Sequence, residues 1–104
     1  MRALFLLLVA CGGDPAVQPE DLDDLGVIQW NRIEARRCGE VEGKTWSLEI
    51  GAEGRASTMM VTAGAPLTND RMQCINRWKK DLRFTKGEPR TVSFQFATGD
   101  DRTP

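Results

Sequence analysis

Three cysteines carry the most reactive side chains in this chain, and their surroundings differ. Cys11 closes an unbroken apolar run, Ala3 to Ala10, that follows a single positive charge at Arg2, the layout of a secretory signal. Cys38 and Cys74 are singletons without C-x-x-C spacing, so neither a zinc site nor a thioredoxin-like redox pair is indicated. Histidine is absent, which removes the commonest general base and the commonest transition-metal ligand, and no metal or cofactor is expected. Carboxylates remain. Asp23-Asp24 and Asp100-Asp101 fall in polar segments where nothing would desolvate them. Glu34, Glu40, Glu42 and Glu49 are the residues that a carboxylate-only cleavage of glycosides or peptidoglycan would need, yet the sequence gives them no aromatic-lined groove. Gly51 and Gly54 flank a turn instead of opening a helix, so no phosphate loop is present. The chain reads as a non-enzyme.

Leu8-Val9-Ala10-Cys11 resembles the lipobox of bacterial lipoproteins. The resemblance implies a signal peptide over residues 1–10, cleavage before Cys11, a diacylglyceryl group on its sulfur and a further acyl chain on its amine. More than one chain is what stable anchoring requires. The apolar run itself is far short of the ~20 residues that a membrane-crossing helix needs. Gly12, not Asp, follows the cysteine, which implies the periplasmic face of the outer membrane under the sorting rule best known from enteric bacteria. The competing reading is a buried cytosolic helix with Cys11 an ordinary buried thiol. Against it, the run leads directly into Gly12-Gly13-Asp14-Pro15 with no cap and no amphipathic period. With Cys11 committed to lipid, Cys38 and Cys74 form an even pair in a compartment that tolerates disulfides. A bond between them would stabilise a small domain by ~4 kcal/mol in the chain-entropy model; two buried thiols are the alternative.

The elements that must position these residues follow from composition and period. Residues 11–24 carry Asp14, Glu20, Asp21, Asp23 and Asp24 with no basic residue, and with Pro15 and Pro19 they read as an acidic tether. Residues 25–99 are mildly cationic and hold the one small domain, and residues 100–104 form a polar tail. Within the domain, Val27, Trp30 and Ile33 at helical spacing predict a helix over Leu25 to Arg37. It would be capped by Asp21, Asp23 or Asp24 and end at Cys38-Gly39. Trp46, Leu48 and Ile50 alternate with polar residues, and Arg55 to Thr62 pairs with them as a hairpin. Thr68 or Asn69 caps a second helix with Met72, Ile75, Trp78 and Leu82 as its apolar stripe. Val92, Phe94 and Phe96 share one face of a third strand. The order α-β-β-α-β predicts a small α+β domain, a three-stranded antiparallel sheet with two helices on one face.

Several of these segments carry a second resemblance. Gly43-Lys44-Thr45-Trp46-Ser47-Leu48-Glu49-Ile50, then Glu53-Gly54-Arg55, is similar to the first hairpin of the TonB-like C-terminal domains of myxobacterial envelope proteins of the AgmX/PglI type. Cys74-Ile75, Leu82-Arg83-Phe84, a short Gly-Pro loop and Val92-Ser93-Phe94-Gln95-Phe96 resemble the same domain's later half. Cys38 and Cys74 stand where that family's paired cysteines stand, which implies the same disulfide. Departures exist. Thr85 occupies the position of a usual proline, the segment after Cys38 is compressed, and the inner-membrane helix and Pro-rich spacer of TonB itself are missing from this chain.

The resemblance implies a non-catalytic module that binds an envelope protein or an extended peptide, in part by adding a strand to an open sheet edge. Arg90 to Ala97 is the expected docking strand, with Arg90, Val92, Phe94 and Phe96 as its contact residues. A second expectation uses the cationic helix face: Arg77, Lys79, Lys80, Arg83 and Lys86 would meet anionic lipid or lipopolysaccharide. Nucleic acid is not an expected partner, since the compartment is wrong and the acidic tether would repel it.

Overall fold

The computed structural model describes residues 18–99. The expected signal peptide, Cys11 and the expected 100–104 tail lie outside the described residues. The described chain folds as α1 (Asp24–Trp30), α2 (Arg32–Arg36), β1 (Thr45–Ile50), β2 (Ala56–Ala63), α3 (Asn69–Lys80) and β3 (Arg90–Phe94). It is an α+β domain with one three-stranded antiparallel sheet in the order β2-β1-β3.

Alternation decides which face of the sheet is covered. Trp46, Leu48 and Ile50 of β1, Met59 of β2 and Phe94 of β3 are buried, while their neighbours Glu49, Thr58, Met60, Thr91 and Ser93 are exposed. One face therefore packs under the helices and the other is open to solvent. Trp46 is fully buried and donates its Nε1–H to the Val41 carbonyl at 3.1 Å, which satisfies its one polar group. Phe96, just beyond β3, sits edge-on to Trp46, Trp78 and Phe94 with ring centroids 6.0, 5.5 and 5.1 Å away. This aromatic cluster joins the sheet to α3.

The first predicted helix is broken in two at Asn31. Its side chain donates to the Val27 carbonyl at 2.8 Å, competing with the helical ladder, and its own carbonyl accepts the Nε1–H of Trp78 at 2.9 Å. The break rotates the buried stripe. Val27, Ile28 and Ala35 are buried, with the Arg32 side chain among them, whereas Trp30 and Ile33 are only half-buried. Asp23 is the cap, accepting from the Gly26 N–H at 2.7 Å. Thr68 caps α3, whose buried Ile75 and half-buried Met72 and Trp78 face the core, with Leu82 buried beyond its end.

The tether is shorter than the sequence suggests. Gln18 donates to the Arg83 carbonyl at 3.1 Å and accepts from the Asn31 amide at 3.0 Å, and Leu22 packs on the core. Residues 18–24, expected in the leash, are held against the domain. Composition reads their acidity as solvation, yet Asp23 and Asp24 are engaged by the cap and by Arg90.

Candidate functional site

Cys38 and Cys74 form a disulfide with their Cα atoms 5.6 Å apart. Cys38 follows α2 and Cys74 lies in the middle of α3, so the bond ties the broken first helix to the second. Gly39, at φ +92°, turns the chain away immediately after it. An ion pair between Arg71 and Glu40 at 3.1 Å bridges the same two segments.

The carboxylates are dispersed. Glu40 pairs with Arg71 and Glu42 with Arg36, at 3.1 and 3.3 Å. Glu49 stands exposed on the open face of the sheet, and Glu34 is half-buried in α2. A shallow depression of about 280 Å³ includes Glu49, Ser57, Arg90 and Thr91. No chemistry is assembled in it: the Ser57 hydroxyl donates to the Glu49 backbone carbonyl, and the Arg90 guanidinium is turned onto Asp24. Among the described residues no group of three or more His, Cys, Asp or Glu side chains is placed to hold a metal ion. No described helix is long and apolar enough to cross a membrane.

The two sheet edges differ in how they are finished. On the β3 side, Arg90 donates Nε–H and Nη2–H to the two carboxylate oxygens of Asp24, both at 2.8 Å, and holds the start of the strand to α1. This fork pulls the Asp24 carboxyl below its ordinary value through the hydrogen bond foremost, partly offset by burial. Past the end of the strand, Gln29 of α1 donates to the Gln95 carbonyl at 2.8 Å and accepts from the Ala97 N–H at 2.9 Å. One side-chain amide thus occupies a donor and an acceptor two residues apart, as the peptide group of a paired strand would. The expected docking strand is therefore held by the chain's own first helix at both ends. Of its contact residues, Phe94 and Phe96 are buried and Val92 is half-buried, so they face the core.

The β2 side is finished by irregularity alone. Register slips opposite Thr45/Trp46 and Glu49/Ile50 kink each end of the strand, a usual way to blunt an edge. Between them residues 58–61 pair regularly with β1. Among the described residues, β1 is the only backbone or side-chain hydrogen-bond partner of the β2 main chain. Met60, 51% exposed, stands at the centre of this stretch on the open face. Sequence patterning places β2 and its exposed methionine in a hairpin but does not say that β1 is the central strand.

Two of the predicted cations, Lys80 and Arg83, come together. Lys80 ends α3, and its carbonyl accepts from Arg55 at 3.1 Å and from Arg83 at 3.0 Å. Arg77 and Lys86 are exposed nearby in sequence, and Lys79 donates to Asn76 at 3.1 Å. Arg55 joins this group through the fold; its place at the foot of β2 gave no sign of it. No known protein family, curated protein or solved structure matches this chain.

Proposed function

We propose that the chain is a lipid-anchored envelope lipoprotein whose TonB-like domain is a non-catalytic binding module. It is held through Cys11, on the periplasmic face of the outer membrane, and receives an extended segment of an envelope protein along the outer edge of β2. The observation that carries this reading is the difference between the edges: β3 is clamped by α1 at Arg90 and just past its end, at Gln95 and Ala97, while the eight residues of β2 are paired to β1 alone and carry no such clamp among the described residues. An unpaired row of N–H and C=O groups is a template for strand addition, with backbone bonds giving affinity and alternating side chains giving selectivity. The regular stretch at 58–61 sets the length of the contact, and Met60 offers a soft apolar contact for the alternate side chains on the open face. The α-β-β-α-β order and the cysteine pair support the TonB-like assignment.

The test is photocrosslinking in the envelope from a reactive residue placed at Met60, followed by hydrogen exchange on the isolated crosslinked complex. Added protection within residues 56–63 and none within 90–97 is expected. Protection at 90–97, or on neither edge, overturns the assignment to β2.

A further inference from the structure

We propose that the cationic end of α3 docks on the anionic phospholipid headgroups of the membrane that anchors the chain. The inference rests on the lipid anchor at Cys11 and adds an orientation to it. Gln18 is bonded to the carbonyl of Arg83, so the chain joins the domain at this end. Six residues lie between Cys11 and Gln18, which are seven Cα–Cα steps apart. At full extension they span no more than about 25 Å, whatever their conformation. The Arg83 carbonyl, 3.1 Å from the Gln18 amide, is therefore confined to a shell above the lipid that is deeper than this only by one glutamine side chain and its hydrogen bond, and Lys80 and Arg55 lie within one hydrogen bond of Arg83 or of each other.

The charges at this end are unneutralised and outnumber the others that make no ion pair among the described residues, such as Arg37 and Lys44. Arg36, Arg71 and Arg90 each hold a carboxylate, whereas among the described residues Arg55, Arg77, Lys79, Lys80, Arg83 and Lys86 make no ion pair. Their acidic neighbours in sequence are Glu53, Asp81 and Glu88, half as many. Glu20, Asp21 and Asp23 lie further along the chain, between Gln18 and α1, whose first residue is paired at Arg90. Clustered basic residues close to a membrane are drawn to anionic lipid within about a Debye length, roughly 8 Å at physiological salt. A tether this short converts that weak attraction into an intramolecular one at high effective concentration.

The lysines provide the readout. Three of them, Lys79, Lys80 and Lys86, lie at this end. The fourth, Lys44, donates to the Ala65 carbonyl beside the opposite end of the hairpin. The lipid-bearing full chain, reconstituted in phosphatidylcholine vesicles with and without phosphatidylglycerol, is treated with an amine-reactive reagent and read by peptide mass spectrometry. On the anionic vesicles, labelling of Lys79, Lys80 and Lys86 is expected to fall about three- to five-fold with Lys44 unchanged, and to recover in high salt. Equal labelling of all four lysines, or protection that is the same on phosphatidylcholine alone, overturns the docking. Protection that appears only when lipopolysaccharide is added overturns the assignment to phospholipid. The mass of the Cys11 peptide is read in the same experiment. Lipid present without lysine protection leaves the anchor standing and removes the docking, and lipid absent removes both.

Discussion

Gly54 is held at φ +82° with the Phe84 carbonyl so near that a Cβ built on it would overlap that oxygen. The same two residues exchange contact in the other direction, since the Phe84 N–H donates to the Gly54 carbonyl at 2.9 Å. The turn after β1 thereby fixes the segment that carries Arg83, and both the backbone conformation and the space require glycine. Gly54→Ala is expected to destabilise the domain by roughly 2–4 kcal/mol, read as a fall in the urea midpoint at unchanged slope. Asp24 gives a prediction in pH. Its carboxyl is held below its ordinary value by Arg90, so the folded state binds its proton less readily than the unfolded chain. The stabilisation is complete above the ordinary carboxylate range and is lost as pH falls through the lowered value. The urea midpoints of the wild type and Asp24→Asn should therefore differ at about pH 7 and converge towards pH 2. A difference that is constant over that range would show the carboxylate charge to be irrelevant.

At the scale of elements, one side chain holds the chain just past the end of β3 to α1. Gln29→Ala removes both bonds to the backbone of Gln95 and Ala97 and is expected to cost about 1 kcal/mol, with faster exchange of the Ala97 amide. Gln29→Glu keeps an acceptor for Ala97 but no donor for Gln95, so exchange at Ala97 should be partly restored. The disulfide joins segments 36 residues apart in the chain, and Cys38→Ala with Cys74→Ala should lower stability by about 4 kcal/mol. Thermal unfolding of the paired variant under non-reducing conditions measures it. The faces of β1 and β3, the α3 cap and the cysteine pair were legible in the sequence because alternation, capping chemistry and cysteine number are local or countable, whereas β2 carries apolar residues in both phases and its facing was not. The break at Asn31 was not, because it depends on a side chain competing with its own helix and on Trp78 claiming the carbonyl from across the domain. Nor was the sheet order, because alternation assigns each strand a face without assigning it a neighbour. The Gln29 clamp and the Gln18 contact are side-chain bonds across more than sixty residues, and no spacing in the chain encodes them.

At the scale of the whole molecule, the proposed anchor and lipid contact would set how the cationic end and the free edge stand to the membrane. The leash meets the domain beside Arg83, and Arg55, at the foot of β2, shares the Lys80 carbonyl with Arg83. With that end on the lipid, β2 begins near the membrane, so a peptide pairing with its edge would have one end close to the surface. The arrangement depends on the sulfur of Cys11 carrying lipid. Cys11→Ser removes the nucleophile that takes the diacylglyceryl group, while the described domain, including its disulfide, contains nothing of residue 11. The variant should therefore keep the wild-type fold and its Cys38–Cys74 bond yet lose metabolic lipid labelling and leave the detergent phase on partitioning. Loss of the acyl chains should shift its membrane partition by several orders of magnitude, since each buried CH₂ contributes about 0.8 kcal/mol. The basic end alone would then leave only a weak, salt-sensitive attraction to anionic vesicles. Retention of lipid labelling by Cys11→Ser would overturn the anchor and, with it, the orientation drawn from the six-residue leash.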